Sequence, residues 1–125
     1  MPKPSDRDPP PLKGRGFPAR LGFALGGLTA AFRRERSLRT HAAGILVVVA
    51  VLAVTRPPAL WWAAGALAIG LVVVAELLNT ALEILADHLH PDLHPAIGAA
   101  KDVAAGAVLV ASLTAVAVAA AFLLR

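Results

Sequence analysis

The 125-residue chain contains no cysteine, which excludes a disulfide framework, a thiol nucleophile and a cysteine-ligated metal. It also lacks a G-x-x-x-x-G-K-[ST] loop and a glycine-rich loop of the protein-kinase kind, so any nucleotide is held in another way. Acidic residues are scarce where basic ones gather. Nine of the twelve Lys and Arg precede residue 40, accompanied only by Asp6, Asp8 and Glu35. On a chain that is 58% hydrophobic with mean hydropathy +0.70, that basic third reads as a cytoplasmic segment facing anionic lipid and argues against a nucleic-acid partner. A signal peptide is not expected, because prolines rather than an apolar core follow the charged start.

What is present is a helical membrane pattern. Residues 1–16, MPKPSDRDPPPLKGRG, have little apolar surface to bury and read as a disordered cytoplasmic tail. Residues 17–36 mix Phe17, Leu21, Phe23, Leu28 and Phe32 with Arg20, Arg33, Arg34 and Arg36, the composition of an amphipathic helix at a membrane surface. Three spans follow, at about 38–55, 59–86 and 102–124. Thr55-Arg56-Pro57-Pro58 forms a tight turn after the first, and Trp61 and Trp62 anchor the second at an interface. HLHPDLHPAIGAAK, broken by Pro91 and Pro95, reads as a polar loop or surface segment before the third. The positive-inside rule puts the N-terminus in the cytoplasm and Arg125 outside. In the third span Ala107, Ala111, Ala115 and Ala119 recur every fourth residue, which predicts close helix packing and favours an oligomer.

The run E-L-L-N-T-A-L-E-I-L-A-D sets Glu76, Asn79, Glu83 and Asp87 inside this apolar pattern, and at about 100° per residue they share one helix face. Carboxylates cost about 2.5 kcal/mol or more at mid-span, so the face is a candidate active site. With the helix starting near Leu60, Glu76 lies about 24 Å from the outer boundary of a core about 30 Å thick. Glu83 and Asp87 then reach the headgroup zone. The deeper Glu76 suits a general base and the shallower Glu83 a divalent cation, with Glu35 as second ligand. Magnesium, with phosphate oxygens completing its shell, fits such a sparse donor set. Lys101 is placed to neutralise a phosphate, with Asp102 orienting it. The alternative for that pair is a helix cap beside a snorkelling lysine. His88, His90 and His94 lack a regular zinc-binding spacing and read as surface histidines. His41 is a polar contact at the mouth of the first span.

The same run, followed from Ala100 by A-K-D-V-A-A-G-A-V and preceded by F-A-L-G-G-L-T-A-A-F-R-R-E-R-S-L-R-T-H, resembles the signature of the prokaryotic diacylglycerol kinase family. These small integral membrane kinases include undecaprenol kinases. The likeness covers about residues 17–124. It implies an all-α homotrimer in the bacterial inner membrane, with three transmembrane helices and a surface helix per subunit, and active sites shared between subunits. By position, Glu76 matches the base that deprotonates the lipid hydroxyl, and Glu35 and Glu83 match ligands of the magnesium that accompanies ATP. Asn79 matches a polar neighbour of the base. Asp92, Leu93, His94, Lys101 and Asp102 match nucleotide contacts, and Ser37, Leu38, Arg39, Thr40 and His41 a lipid-contacting segment. Three positions depart from some members: Phe23 replaces an aromatic hydroxyl, His41 an acidic residue and Ala105 a serine.

The expected activity is transfer of the γ-phosphate of MgATP to a membrane lipid alcohol, diacylglycerol giving phosphatidic acid. The alternative acceptor is undecaprenol, toward whose branch the E-R-S-L-R-T-H and A-K-D-V-A-A-G-A-V wording leans. From other classes, the competing readings are a proton or cation conduit lined by Glu76, Asn79 and Glu83, and a small scaffold subunit.

Overall fold

The computed structural model describes Gly14 and residues 16–125. Apart from Gly14 and Gly16, the expected Pro-rich tail lies outside the described residues. Four helices follow one another, with no strand among the described residues: α1 (Phe17–Arg34), α2 (Arg36–Thr55), α3 (Ala59–Leu89) and α4 (Pro95–Leu123). The last three are long and apolar enough to cross a membrane.

A single extended residue separates α1 from α2. Glu35, at φ −97° and ψ 117°, is C-cap of one helix and N-cap of the next, and its N–H donates to the Ala31 carbonyl at 2.8 Å. The charges match the helix ends meeting there. Arg33 and Arg34 occupy the last turn of α1, and the Glu35 carboxylate stands at the start of α2. Arg39 reaches back across the break, its guanidinium donating to the Arg33 carbonyl at 2.9 Å. No residue of α1 is buried, and Phe17, Leu21, Phe23, Leu25, Leu28 and Phe32 are all exposed.

The long helices run up and down. At the α2–α3 turn Arg56 adopts the left-handed conformation (φ 46°, ψ 52°), closing α2 with an N–H to the Leu52 carbonyl before Pro57 and Pro58 bar further helix. Gly65 in α3 lets Leu52 approach: a β-carbon there would sit 3.5 Å from Leu52 Cδ1. At one end of the α3–α4 pair Trp61 meets Phe122 edge to face, with ring centroids 5.3 Å apart, and at the other Asp87 pairs with Lys101. At about 1.5 Å per residue, the 31 residues of α3 reach about 46 Å against an apolar core about 30 Å thick. The Asp87–Lys101 end, polar on both helices, is the part that overhangs.

Helix α4 begins at Pro95 rather than at Asp102 as expected from the sequence. Proline is well suited to the first helical position, where its missing N–H is an orphan anyway. His94 supplies the cap, its Nδ1 accepting from Ala96 N–H at 3.2 Å. Pro91 alone therefore interrupts the chain, and Lys101 and Asp102 lie inside the helix instead of opening it. The alanine repeat is divided within the single chain. Ala111 is buried and Ala115 half-buried, whereas Ala107 and Ala119 are exposed. A four-residue step advances about 40° beyond a full turn, so a strict four-residue stripe drifts off any straight contact. The half-buried or buried face of α4 runs instead through Ala104, Val108, Ala111, Ala115, Val118 and Phe122, alternating steps of four and three.

The interior is thin: Leu38, Leu52, Ala68, Val72 and Ala111 are its buried apolar residues, with Glu76 and Thr80 beside them. Ala68, Val72, Glu76 and Thr80 form one row along α3. Because Ala111 is 3% exposed, Ala111→Leu overfills a tight helix contact and is expected to destabilise the detergent-solubilised protein by about 1–3 kcal/mol. A lowered thermal midpoint relative to wild type is the readout.

Candidate active site

Glu76 is 6% exposed in the middle of an apolar helix. Helix α2 supplies what surrounds its carboxylate. Ser37 Oγ donates to Glu76 Oε2 at 3.2 Å, and His41 Nδ1 lies 3.5 Å from Oε1. Ser37 and His41 stand four residues apart, so one face of the first turns of α2 presents both. The Glu35 break is what allows this, because it starts α2 at the level of Glu76.

One turn further along α3, Asn79 Nδ2 donates to Glu83 Oε1 at 3.2 Å, a pairing that the four-residue spacing favours. Asn79 Oδ1 is buried without a partner. Glu83 is half-buried. At the helix end Asp87 and Lys101 form an ion pair across to α4. Three polar groupings thus occupy successive turns of one face.

Beside them lies an apolar cleft of about 360 Å³ between α1, α2 and α3. Leu28 and Phe32 come from α1, Leu38, Ala42 and Ile45 from α2, and Val73 and Leu77 from α3. Leu38 and Ala42 directly follow Ser37 and His41, and Leu77 directly follows Glu76, so the cleft flanks the carboxylate cluster.

The other expected residues lie apart from that cluster. Glu35 is half-buried and pairs with Arg34 Nε at 3.5 Å. No contact joins it to Glu83, and no group of three or more His, Cys, Asp or Glu gathers as a metal site among the described residues. Arg39 and Thr40 turn to backbone carbonyls, of Arg33 and Arg36. Asp92, Leu93 and His94 sit on the exposed α3–α4 connection, where the Asp92 carbonyl meets His90 Nδ1 at 3.0 Å. Asp102 and Ala105 are exposed on α4. Asp102 neither caps the helix nor orients Lys101, whose partner is Asp87. Sequence reasoning missed this pair and the contact of Ser37 with Glu76. Fourteen residues and a reversal separate Asp87 from Lys101, so no local spacing signals them.

Residues 22–123 match the family described as prokaryotic diacylglycerol kinase. The chain belongs to that family. It is 38% identical over 103 residues to a diacylglycerol kinase of Synechocystis, covering 82% of this chain and 59% of the relative. It is 30% identical over 95 residues to the diacylglycerol kinase of Escherichia coli, covering 76% of this chain and 78% of that protein. An undecaprenol kinase of Bacillus subtilis is 38% identical over 84 residues, 67% of this chain and 68% of that one. The matched range of the prokaryotic diacylglycerol kinase family contains every element of the cluster, from Ser37 and His41 through Glu76 to Lys101. With three helices apolar enough to span, this member is a membrane protein.

Among the described residues Ser37 makes the one hydrogen bond to the Glu76 carboxylate. Ser37→Ala is therefore expected to destabilise the protein by about 1–3 kcal/mol, the cost of leaving a buried acceptor unpaired. Thermal unfolding in micelles measures it, and Ser37→Thr, which keeps the hydroxyl, is expected to retain most of the stability.

Proposed function

We propose that this chain is an ATP-dependent lipid kinase that transfers the γ-phosphate of ATP to the hydroxyl of a membrane lipid alcohol, with diacylglycerol as acceptor. The observation that carries the proposal is the buried Glu76 carboxylate, held by Ser37 at the rim of an apolar cleft. A carboxylate in that place can accept a proton from a hydroxyl whose apolar chain occupies the cleft. Phosphoryl transfer asks the protein mainly for positioning and charge neutralisation, which a sparse site can supply. The names of the relatives, diacylglycerol kinase and undecaprenol kinase, support the reaction class and make undecaprenol the alternative acceptor.

In this reading Glu76 takes the proton as the lipid oxygen attacks the γ-phosphorus, and Asn79 orders the α3 face beside it. Glu35 and Glu83 would hold the magnesium that accompanies ATP. Their donors are all carboxylate oxygens, and two of them leave room for phosphate oxygens in the shell. Magnesium held there would neutralise phosphate charge. Lys101 and Asp102, with Asp92, Leu93 and His94 on the connection, form the nucleotide side. Ser37, Leu38, Arg39, Thr40 and His41 form the lipid side. Helix α1, with no buried residue and a row of exposed aromatic and aliphatic side chains, lies on the inner-membrane surface as the amphipathic helix. The basic segment keeps the N-terminus cytoplasmic, and three copies assemble to cover the exposed faces of the spans. A conduit is disfavoured because the row above Glu76 continues as Val72 and Ala68, with no polar step beyond the carboxylate.

A γ-labelled ATP assay with diacylglycerol and undecaprenol in mixed micelles tests the proposal. Label is expected in at least one lipid, and transfer to neither would sink it. Glu76→Gln is expected to lower turnover by about 10²- to 10⁴-fold, the usual range for a general base, with ATP binding unchanged. A wild-type rate in that variant would remove Glu76 from the base role.

A further inference from the structure

His41 has an unusual double environment. Its Nδ1 is buried, makes no hydrogen bond and faces Glu76 Oε1 at 3.5 Å, yet the side chain as a whole is 34% exposed. Glu76, by contrast, has only 9% of its side chain exposed. An imidazole so placed has one nitrogen against the buried carboxylate and about a third of its side chain exposed. A buried ring nitrogen without a partner is unfavourable unless it is used.

We infer that His41 is a positioning residue that acts through Glu76: it relieves the buried carboxyl of the proton gained in each turnover and passes that proton to water. The inference rests on the lipid-kinase reading. Its proton balance is simple. The acceptor O–H bond breaks as Glu76 gains the proton at Oε1. That O–H then breaks as His41 Nδ1–H forms, giving an imidazolium, and the Nε2 proton leaves to water. The neutral ring regains its starting tautomer by exchange with water when Nδ1 swings outward. The net change is one proton moved from the lipid hydroxyl to solvent, with no oxidation or reduction.

None of the other neighbours of Glu76 can do this. Ser37 can donate to an ionised carboxylate but cannot hold a proton at neutral pH. Along α3, Asn79 and Thr80 do not titrate in this range, Glu83 is engaged by Asn79, and Asp87 by Lys101. On α2, Arg39 is turned to the Arg33 carbonyl. From α1, the residues nearest the cleft are Leu28, Thr29 and Phe32. Imidazole is also the side chain here that can take a proton on one ring nitrogen and release one from the other.

The test compares full-length wild type, His41→Gln and His41→Ala in the labelled-ATP assay, with and without added imidazole. Both variants are expected to lose about 10- to 100-fold in kcat, part of the range that proton transfer by a positioned side chain contributes. KM for ATP should stay within about twofold, since the nucleotide side is untouched. Imidazole is expected to restore turnover to His41→Ala and to leave wild type and Glu76→Gln unchanged. A lost hydrogen bond or a packing defect would not respond to imidazole. A wild-type kcat in His41→Gln, or a deficit in His41→Ala that imidazole does not relieve, overturns the inference. If wild type phosphorylates a lipid and His41→Gln matches it, only the role of His41 falls. If wild type phosphorylates neither lipid, the kinase reading falls and takes this one with it.

Discussion

Keeping one carboxylate inside an apolar helix constrains this fold more than any packing contact does. An ionised group in low dielectric is costly unless polar atoms meet it, and lipid offers none. Glu76 cannot satisfy itself along α3, where the buried positions one and two turns above are Val72 and Ala68. Help has to come from another helix at the same depth, and Ser37 and His41 of α2 provide it. That requirement fixes where α2 begins and hence why a residue in extended conformation interrupts the chain at Glu35. It also fixes the α2–α3 register, since sliding α2 by one residue would rotate Ser37 about 100° away from the carboxylate. At the far end, Leu52 against Gly65 holds the same register sterically.

The second constraint is the small size of the interior. Five buried apolar side chains cannot offset the conformational entropy of ordering more than a hundred residues in water. The exposed Leu and Val side chains of α2, α3 and α4 therefore belong against lipid or against other copies of the chain. Within the single chain α4 adds little polar content at mid-span. It contacts α3 through small and medium residues that let the backbones approach closely, and its polar contribution comes near its beginning, at Lys101.

Much of the helical plan was legible in the sequence, because span length, the Thr55–Pro58 breaker and the basic first third are local signals. The shared face of Glu76, Asn79, Glu83 and Asp87 was legible too, since helical periodicity alone creates it. The start of α4 was not. Pro95 looks like a breaker in a one-dimensional reading, whereas its place just after a capping histidine makes it an initiator. Misplacing that start put Lys101 at a helix tip and made Asp102 its natural partner. Inside the helix, Lys101 instead turns to Asp87. The alanine repeat is met in part within the single chain, where Ala111 is buried and Ala115 half-buried while Ala107 and Ala119 are exposed. Contacts between helices, Ser37 with Glu76 and Asp87 with Lys101, depend on register and depth that no local pattern encodes.

The three groupings along α3 differ in how firmly they are held. Ser37 and Glu76 are tied in a buried setting, where removing one partner leaves the other unsatisfied. Asn79 and Glu83 form a partly buried pair within one helix. Asp87 and Lys101 are exposed by 57% and 35% of their side chains, and exposed ion pairs contribute only about 0–1 kcal/mol. The gradient runs from a fixed carboxylate at lipid depth to an exchangeable lysine at the polar end. On the proposed reading this is the order the reaction needs. The base has to be placed before either substrate arrives, whereas Lys101 can leave Asp87 for a phosphate at little cost, because the nucleotide offers an equal or greater negative charge in the same solvent-accessible place. The Asp87 pairing is then compatible with a phosphate role for Lys101, and it keeps the ammonium directed at α3 in the absence of nucleotide.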